Sequence, residues 1–476
     1  MITEVDTGSR DVERLAQLAG PRQVELVHGA VKRGRARLAG RAVVNVNSTA
    51  RGGGVAEMLL PLVAYARGAG IDCRWLVIEG DPEFFSITKR IHNRVHGAPG
   101  DGGPLDADQR AAYERTLALN YEELSERIGP RDVVILHDPQ TAGLAPMLAD
   151  TGNPVIWRCH VGVDHPNELT RSAWRFLEPF AHRADRIVFS RRQLAWDVID
   201  PARRAIIAPS IDPLAPKNQD LGSGVAAGIL NAAGLRQGSG GQPVFERLDG
   251  SRGRVQSRAA LCEDAPLTRA DRYVLQVSRW DALKDPLGVI EGFAAHVAPA
   301  TDAHLVYAGP DVTAVSDDPE GADVLLAACQ RRAALPDGIR ERVHLALLPM
   351  DDLQENAAVV NALQRTAAVV VQKSLAEGFG LTVAEAMWKA RPVVASNIGG
   401  IGDQIEHRRS GLLLDDPADL GSYGAAVRVL LEDGALTASL GRAARERVRE
   451  RFLGTHSLID YLALIEPLIR PGERAA

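Results

Sequence analysis

Short apolar runs alternate with longer amphipathic stretches along nearly the whole chain, in two successive series. In the first, residues 42–47, 73–78, 133–137, 155–159 and 186–189 read as strands, with helical patterns between them, for instance at 106–128 and 167–180. In the second, residues 273–278, 304–308, 343–347, 368–372 and 393–396 read as strands, and 286–297, 322–334, 353–365 and 382–389 as helices. Strands that alternate with helices build parallel sheets, because each crossover helix returns the chain to the same end of the sheet and covers its face. Two such series predict an α/β chain with two doubly wound domains. The length of 476 residues accommodates them, at ~100–200 residues per domain.

Between the series lies 213–271, with nine glycines in 59 residues, a density well above the ~7% of ordinary chains. It reads as a Gly-rich insert and linker, partly mobile, with 221–235 able to hold a short helix. The expected organisation is a first domain over 1–212, the insert over 213–271 and a second domain over 272–452. A C-terminal helix within 453–476, apolar at helical spacing, is expected to cross back onto the first domain. Gly222, Gly224 and Gly228 form a GxGxxxG-like string, but no strand precedes it, so it lacks the context of a dinucleotide fingerprint.

The balance of 55 basic against 61 acidic residues gives a net charge of −6. That argues against a partner made of nucleic-acid phosphates. No run approaches the ~20 apolar residues that span a bilayer. The four cysteines are far apart, with no CxxC and no zinc spacing. These features, with a charged N-terminus, predict a cytoplasmic protein without a membrane partner. Only six basic residues are lysines: Lys32, Lys89, Lys217, Lys284, Lys373 and Lys389. A codon bias explains the scarcity, and the placement of the few remaining lysines is then informative.

The richest stretch is 374–411, SLAEGFGLTVAEAMWKARPVVASNIGGIGDQIEHRRSG. A strand ends near Gln372, a turn with Gly378 and Gly380 follows, and a helix begins near Leu381. Free N–H groups and the positive dipole end of a helix suit an anion such as a diphosphate, and glycine lets a ligand approach the backbone. Glu377 precedes that helix and Glu385 lies about a turn inside it, so they do not form one acid/base pair. The alternative is a polar turn with an acidic residue at a helix start. Arg279 and Lys284, in VSRWDALKDP, follow another strand, where ligands of open parallel sheets bind. They suit developing phosphate charge, or else pair with Asp281 or Asp285. In the first domain, NVNSTARGGGVAEM carries Gly52, Gly53 and Gly54 between a strand and a helix. That is a phosphate-friendly turn or a plain flexible loop. His160 follows a strand end as a ligand group or a structural histidine. His137 and Asp138, in LHDPQ, could bind sugar hydroxyls, or Asp138 could cap a helix; Asp164 carries the same ambiguity. Asp106–Asp108 is a DxD at a helix start, where acidic residues are favoured anyway.

Glu377 to Glu385 is similar to the E-x7-E signature of retaining, GT-B-type glycosyltransferases of family 4. Arg279 and Lys284 resemble that family's cation pair, Gly52–Gly54 its glycine loop and His160 its histidine, in the same order. VNSTARGGGVAEML, ILHDPQTAGL, WRCHVGVDHPN, PSIDPLAPKN and QVSRWDALKDP further resemble the glycosyltransferring trehalose synthases and the related trehalose phosphorylases. The Gly-rich insert departs from these relatives, whose segment there looks shorter and more helical. The resemblance implies a GT-B architecture, two Rossmann-like domains facing an interdomain cleft. It also implies transfer of glucose from a nucleoside diphosphate glucose, such as ADP-glucose or UDP-glucose, to free glucose, giving α,α-trehalose reversibly. It implies a donor site of Gly53, Gly54, Gly378, Phe379, Gly380, Leu381 and Glu385, with Glu385 on the ribose. Catalytic roles fall to His160, Arg279, Lys284 and Glu377, and acceptor contacts to Asp138, Gln140 and Asp164. No cofactor is required for the fold and no protein metal site is expected, Mg2+ being an optional companion of the diphosphate. A homodimer is compatible with this reading. The alternatives are phosphorolysis with glucose 1-phosphate, another acceptor, or a non-catalytic sugar-nucleotide binder.

Overall fold

A computed structural model describes residues 2–50, 53–312 and 320–469. The chain divides into two compact units, Met1–Ser210 with Leu453–Ala476, and Ile211–Phe452.

The first unit holds a seven-stranded sheet of order β1-β3-β2-β4-β5-β6-β7. Its strands are β1 (Thr3–Glu4), β2 (Val43–Asn47), β3 (Cys73–Val77), β4 (Val133–His137), β5 (Val155–Cys159), β6 (Arg186–Phe189) and β7 (Arg204–Ile206). All pairings are parallel except that of β1 with β3. Side-chain alternation divides each strand between two cores. Val44, Val46, Val134 and Leu136 enter one, and Val43, Val133 and Ile135 the other. The Gly454–Ile465 helix packs against the Pro21–Arg37 helix. A Cβ on Gly34 would lie 2.9 Å from Leu462 Cδ2, so a larger residue there would require the Leu462 side chain to shift.

The second unit holds β8 (Val244–Glu246) and β9 (Arg252–Arg254) as a separate antiparallel pair. Its seven-stranded sheet has the order β10-β13-β12-β11-β14-β15-β16. These strands are β10 (Ala260–Cys262), β11 (Tyr273–Val277), β12 (His304–Pro310), β13 (Val343–Leu348), β14 (Val369–Gln372), β15 (Val393–Ser396) and β16 (Leu412–Leu414). Only β10 runs antiparallel to its neighbour. Among the described residues no helix is long and apolar enough to cross a membrane.

The glycine-rich segment departs from the expected loose linker. Its Ser223–Ala232 helix packs on the Leu353–Thr366 helix, and β10 extends the sheet edge. The glycines serve close packing: a Cβ on Gly228 would meet Gly241 O at 2.0 Å, and Gly241 N donates to Gly224 O at 2.7 Å. Arg247 pairs with Asp352 at 2.5 Å, and Glu355 accepts from Gln256 N at 2.6 Å. Both contacts fasten the segment to the start of the Leu353–Thr366 helix.

Candidate functional site

In each sheet the strand order reverses beside the first long parallel strand: β3 and β4 flank β2, and β12 and β14 flank β11. Loops leaving the carboxyl ends diverge there and open a crevice. In the second unit those loops carry Arg279 with Lys284, and Glu377.

Two buried glutamines tie these loops together. Gln276 Nε2 donates to Lys284 O at 2.7 Å, and its Oε1 accepts from Lys373 N at 3.1 Å. Gln372 Nε2 donates to Ser278 Oγ at 3.2 Å and Ser374 Oγ at 2.9 Å, and Gln372 Oε1 accepts from Thr382 Oγ1 at 3.0 Å. The pair was legible only as two amides in otherwise apolar strands, YVLQV and VVVQ.

Lys284 Nζ donates to Glu377 Oε2 at 2.6 Å, with the side chains 15% and 14% exposed. Arg279 is 57% exposed and pairs with Asp281 at 2.7 Å. Asp285, at φ 51°, caps the next helix through Gly288 N at 3.0 Å and pairs with the buried Lys373. Lys373 is a cation that no motif marked.

Gly380, at φ 81°, is the N-cap of the Leu381–Trp388 helix, and no side chain caps it. Phe379 edges onto Phe452 at 5.8 Å, and the surroundings of Gly378 are open. A second glycine pair supports this turn. Gly400 N donates to Gly378 O at 2.8 Å, and a Cβ on Gly399 would stand 1.9 Å from Glu377 O. Gly399 and Gly400 were visible in the sequence but carried no assigned role.

Glu385 is 3% exposed. Its Oε1 lies 3.6 Å from Lys217 Nζ, and its buried Oε2 has no hydrogen-bond partner. Lys389 Nζ donates to Glu385 O at 3.1 Å, Asn218 Oδ1 at 3.0 Å and Gln364 Oε1 at 2.8 Å. Burial draws the Lys389 pKa well below the ordinary lysine value, with the Glu385 charge opposing. An unpartnered buried carboxylate oxygen is costly, and a hydroxyl donor would satisfy it. Three of the six lysines thus pair with carboxylates, Lys217 with Glu385, Lys284 with Glu377 and Lys373 with Asp285, and a fourth, Lys389, binds the Glu385 carbonyl.

In the first unit, Gly53 and Gly54 open the Gly53–Gly68 helix after β2; Gly52 lies outside the described residues. His137 closes β4, and Asp138 follows at φ 61°. Asp138 Oδ1 accepts from His160 N at 2.7 Å, and Asp138 O accepts from Trp157 Nε1 at 3.0 Å. Burial pushes the Asp138 carboxyl up to about 7, against the pull of the His160 N–H and Arg158. His160, just beyond β5, stacks on His137 with ring centroids 5.3 Å apart. Burial first, then the Arg158 charge, lowers the pKa of both rings, that of His137 to about 3. Gln140 lies half-buried in the Asp138–Thr141 turn. Asp164 pairs with Arg191 at 2.7 Å. The structure therefore gives Asp138 and Asp164 partners within the protein.

Among the described residues, no group of three or more His, Cys, Asp or Glu could hold a metal ion. Asp106 of the DxD caps the Ala107–Ser125 helix, accepting from Asp108 N at 3.0 Å and Gln109 N at 3.2 Å.

Residues 45–196 match the family model for the trehalose synthase N-terminal domain, and residues 263–447 match glycosyl transferases group 1. A trehalose synthase of Rubrobacter xylanophilus is 34% identical, covering 93% of this chain and 94% of that protein. One of Pyrococcus horikoshii is 31% identical over 98% of this chain and 99% of that protein. A trehalose phosphorylase of Pleurotus sajor-caju is 25% identical, over 88% of this chain and 57% of that protein. The fold is shared with a solved UDP-forming α,α-trehalose-phosphate synthase of Burkholderia vietnamiensis. The TM-score is 0.63 at 15% identity, covering 90% of this chain and 98% of that one. With two seven-stranded doubly wound sheets of this kind, and relatives matching over nearly the full length, the chain belongs to the trehalose synthase family of GT-B glycosyltransferases.

Proposed function

We propose that the protein transfers glucose, with retention of configuration, from a nucleoside diphosphate glucose to the anomeric hydroxyl of free glucose, forming α,α-trehalose reversibly. The observation that carries this reading is the Lys284–Glu377 pair, which sits beside the uncapped start of the Leu381–Trp388 helix.

Breaking the bond between sugar and phosphate leaves positive charge on the sugar and negative charge on the diphosphate. Lys284, Arg279 and the N–H groups following Gly380 stabilise the anion. Arg279 exchanges its Asp281 partner for phosphate. Glu377, positioned by Lys284, binds hydroxyls of the donor glucose, and Glu385 Oε2 accepts from the ribose. Gly378, Phe379 and Leu381 contact the donor, and Gly53 and Gly54 face the phosphates or the acceptor. His160 contacts the donor sugar, and Gln140, Asp138 and Asp164 contact the acceptor. Retention through a covalent intermediate needs two carboxylates ~5 Å apart, and the sequence motifs supply no such pair. In the proposed reaction the acceptor attacks on the face the diphosphate leaves, and the departing phosphate takes its proton. Among the described residues no group of three or more His, Cys, Asp or Glu could hold a metal ion, and Mg2+ enters this reading only as an optional companion of the diphosphate.

The test is a donor panel. The protein is incubated with glucose and each of ADP-glucose, UDP-glucose and glucose 1-phosphate, and trehalose is measured. Trehalose from a nucleoside diphosphate glucose is the expected result. Product from glucose 1-phosphate alone would assign phosphorolysis, the activity named for the Pleurotus relative.

A further inference from the structure

The hydrogen bonds around His160 run in one direction only. Arg158 is buried at the end of β5, with its guanidinium on Ile207 O at 2.7 Å and Ser190 Oγ at 3.2 Å. A guanidinium has no lone pair to offer, so Arg158 Nε donates to His160 Nδ1, at 3.4 Å. A neutral His160 then carries its proton on Nε2, which donates to His137 Nδ1 at 3.0 Å. His137 in turn carries its proton on Nε2 and donates to Asn45 Oδ1 at 3.1 Å.

The far end demands the same polarity independently. Asn45 Nδ2 donates to Arg74 O at 3.4 Å and Cys73 Sγ at 3.6 Å, which turns the acceptor Oδ1 toward His137. One end of the chain can only donate and the other can only accept, and the two ends agree. The main chain of His160 is gripped as well, because Asp138 Oδ1 accepts its N–H at 2.7 Å. Among the described residues no hydrogen-bond donor reaches the His160 carbonyl oxygen.

We propose that His137 is a positioning residue: it holds His160 as the neutral Nε2–H tautomer, in one ring orientation, with its carbonyl free to face the donor sugar. A cationic ring at that place would oppose the positive charge that develops on the sugar, whereas a carbonyl oxygen supports it. Asn45 is the anchor that keeps His137 in its own tautomer. The catalytic meaning rests on the proposed function, but the polarity of the chain does not.

The two are separable by experiment. Protein labelled with 15N at histidine is studied by NMR, with His160 assigned through His160→Gln. In the wild type, His160 Nε2 is expected to be protonated and Nδ1 bare. In His137→Phe the acceptor is lost, only the long 3.4 Å bond from Arg158 Nε still favours the Nε2–H form, and the Nδ1–H form should become populated. Turnover should then fall about tenfold or more while the donor KM stays within about twofold. His137→Gln, whose amide can accept from His160 and donate to Asn45, should restore the single tautomer and most of the turnover. A wild-type His160 protonated on Nδ1 overturns the proposal, as does a tautomer unmoved by His137→Phe. If His137→Phe fails to fold, the wild-type tautomer and the His137→Gln turnover decide. If no donor gives trehalose, the ring-nitrogen signals still test the relay while the proposed function fails.

Discussion

Lys284 Nζ lies 2.6 Å from Glu377 Oε2, joining the loop after β11 to the turn that begins the Leu381–Trp388 helix. The cation suited to the leaving phosphate and the carboxylate suited to the sugar hydroxyls hold each other in place. On the proposed function, removing either residue would do two things: delete a group from the reaction and release the other group.

Lys284→Ala is accordingly expected to lower kcat by about a hundredfold or more, with the fold intact by circular dichroism. It should also cost about 1–3 kcal/mol in denaturant unfolding, because Glu377 keeps its charge without its partner. Combining it with Glu377→Gln should restore part of that stability but none of the turnover. Independent additivity of the two stability losses would show that the pair is not coupled.

Gly380 occupies φ 81°, and a Cβ there would stand 3.0 Å from Ile401 Cγ1 and 3.2 Å from Glu377 Cγ. Gly380→Ala should cost about 1–2 kcal/mol from the left-handed backbone alone, and it should lower turnover by displacing Glu377. Gly378→Ala meets nothing within 4 Å, so its unfolding midpoint should stay close to wild type. Equal destabilisation of the two variants would contradict the role given to the turn.

Glu385 is held by Lys217 on one oxygen and presents the other without a partner. Glu385→Ala should raise the donor KM about tenfold or more and change kcat less, as expected for a contact equally strong in ground and transition states. Steady-state kinetics with varied nucleoside diphosphate glucose measure this. An unchanged donor KM would remove Glu385 from the ribose.

The buried histidines make stability depend on pH. Burial and Arg158 lower the His137 pKa from 6.5 to about 3. Below 6.5 the unfolded chain takes up a proton that the folded chain refuses. The contribution is present above 6.5 and is lost as the pH falls toward about 3. Asp138, raised to about 7, acts in the opposite sense, favouring the fold at low pH, and is common to wild type and variant. The stability of wild type minus that of His137→Gln should therefore shrink on acidification, by up to about 1.4 kcal/mol per pH unit below 6.5. Urea unfolding at several pH values tests this, and a constant difference would contradict the buried neutral ring.

Most of the scaffold was readable because strand and helix periods differ and every long parallel strand here is a compact apolar run. Residues 133–137, 155–159, 186–189 and 393–396 are strands with the bounds that their patterning predicts. Edge strands were not legible: β1, β7, β10 and β16 have two or three residues each and no periodicity to speak of. The glycines of 213–271 were misleading for a physical reason. High glycine content signals a flexible chain unless the missing Cβ atoms are used for close backbone contact, as at Gly228 and Gly241. At the site, Glu377, Lys284 and Glu385 stood out by spacing, but their supports came from distant segments. Lys217 reaches Glu385, Asn218 reaches Lys389, and His137 reaches His160 only once the sheets bring them together. The scarcity of lysine drew attention to where the few lysines fall: Lys217, Lys284 and Lys373 each pair with a carboxylate, Glu385, Glu377 and Asp285, and Lys389 binds the Glu385 carbonyl.

The central claim is retaining transfer from a nucleoside diphosphate glucose to free glucose. Its most direct test is 13C NMR of a reaction containing a nucleoside diphosphate α-glucose labelled at the anomeric carbon, unlabelled glucose and the purified protein, with released nucleoside diphosphate measured in parallel. The predicted result is one α,α-trehalose, labelled in one ring only, for each nucleoside diphosphate released. A β-configured labelled ring, or trehalose formed without release of nucleoside diphosphate, would contradict it.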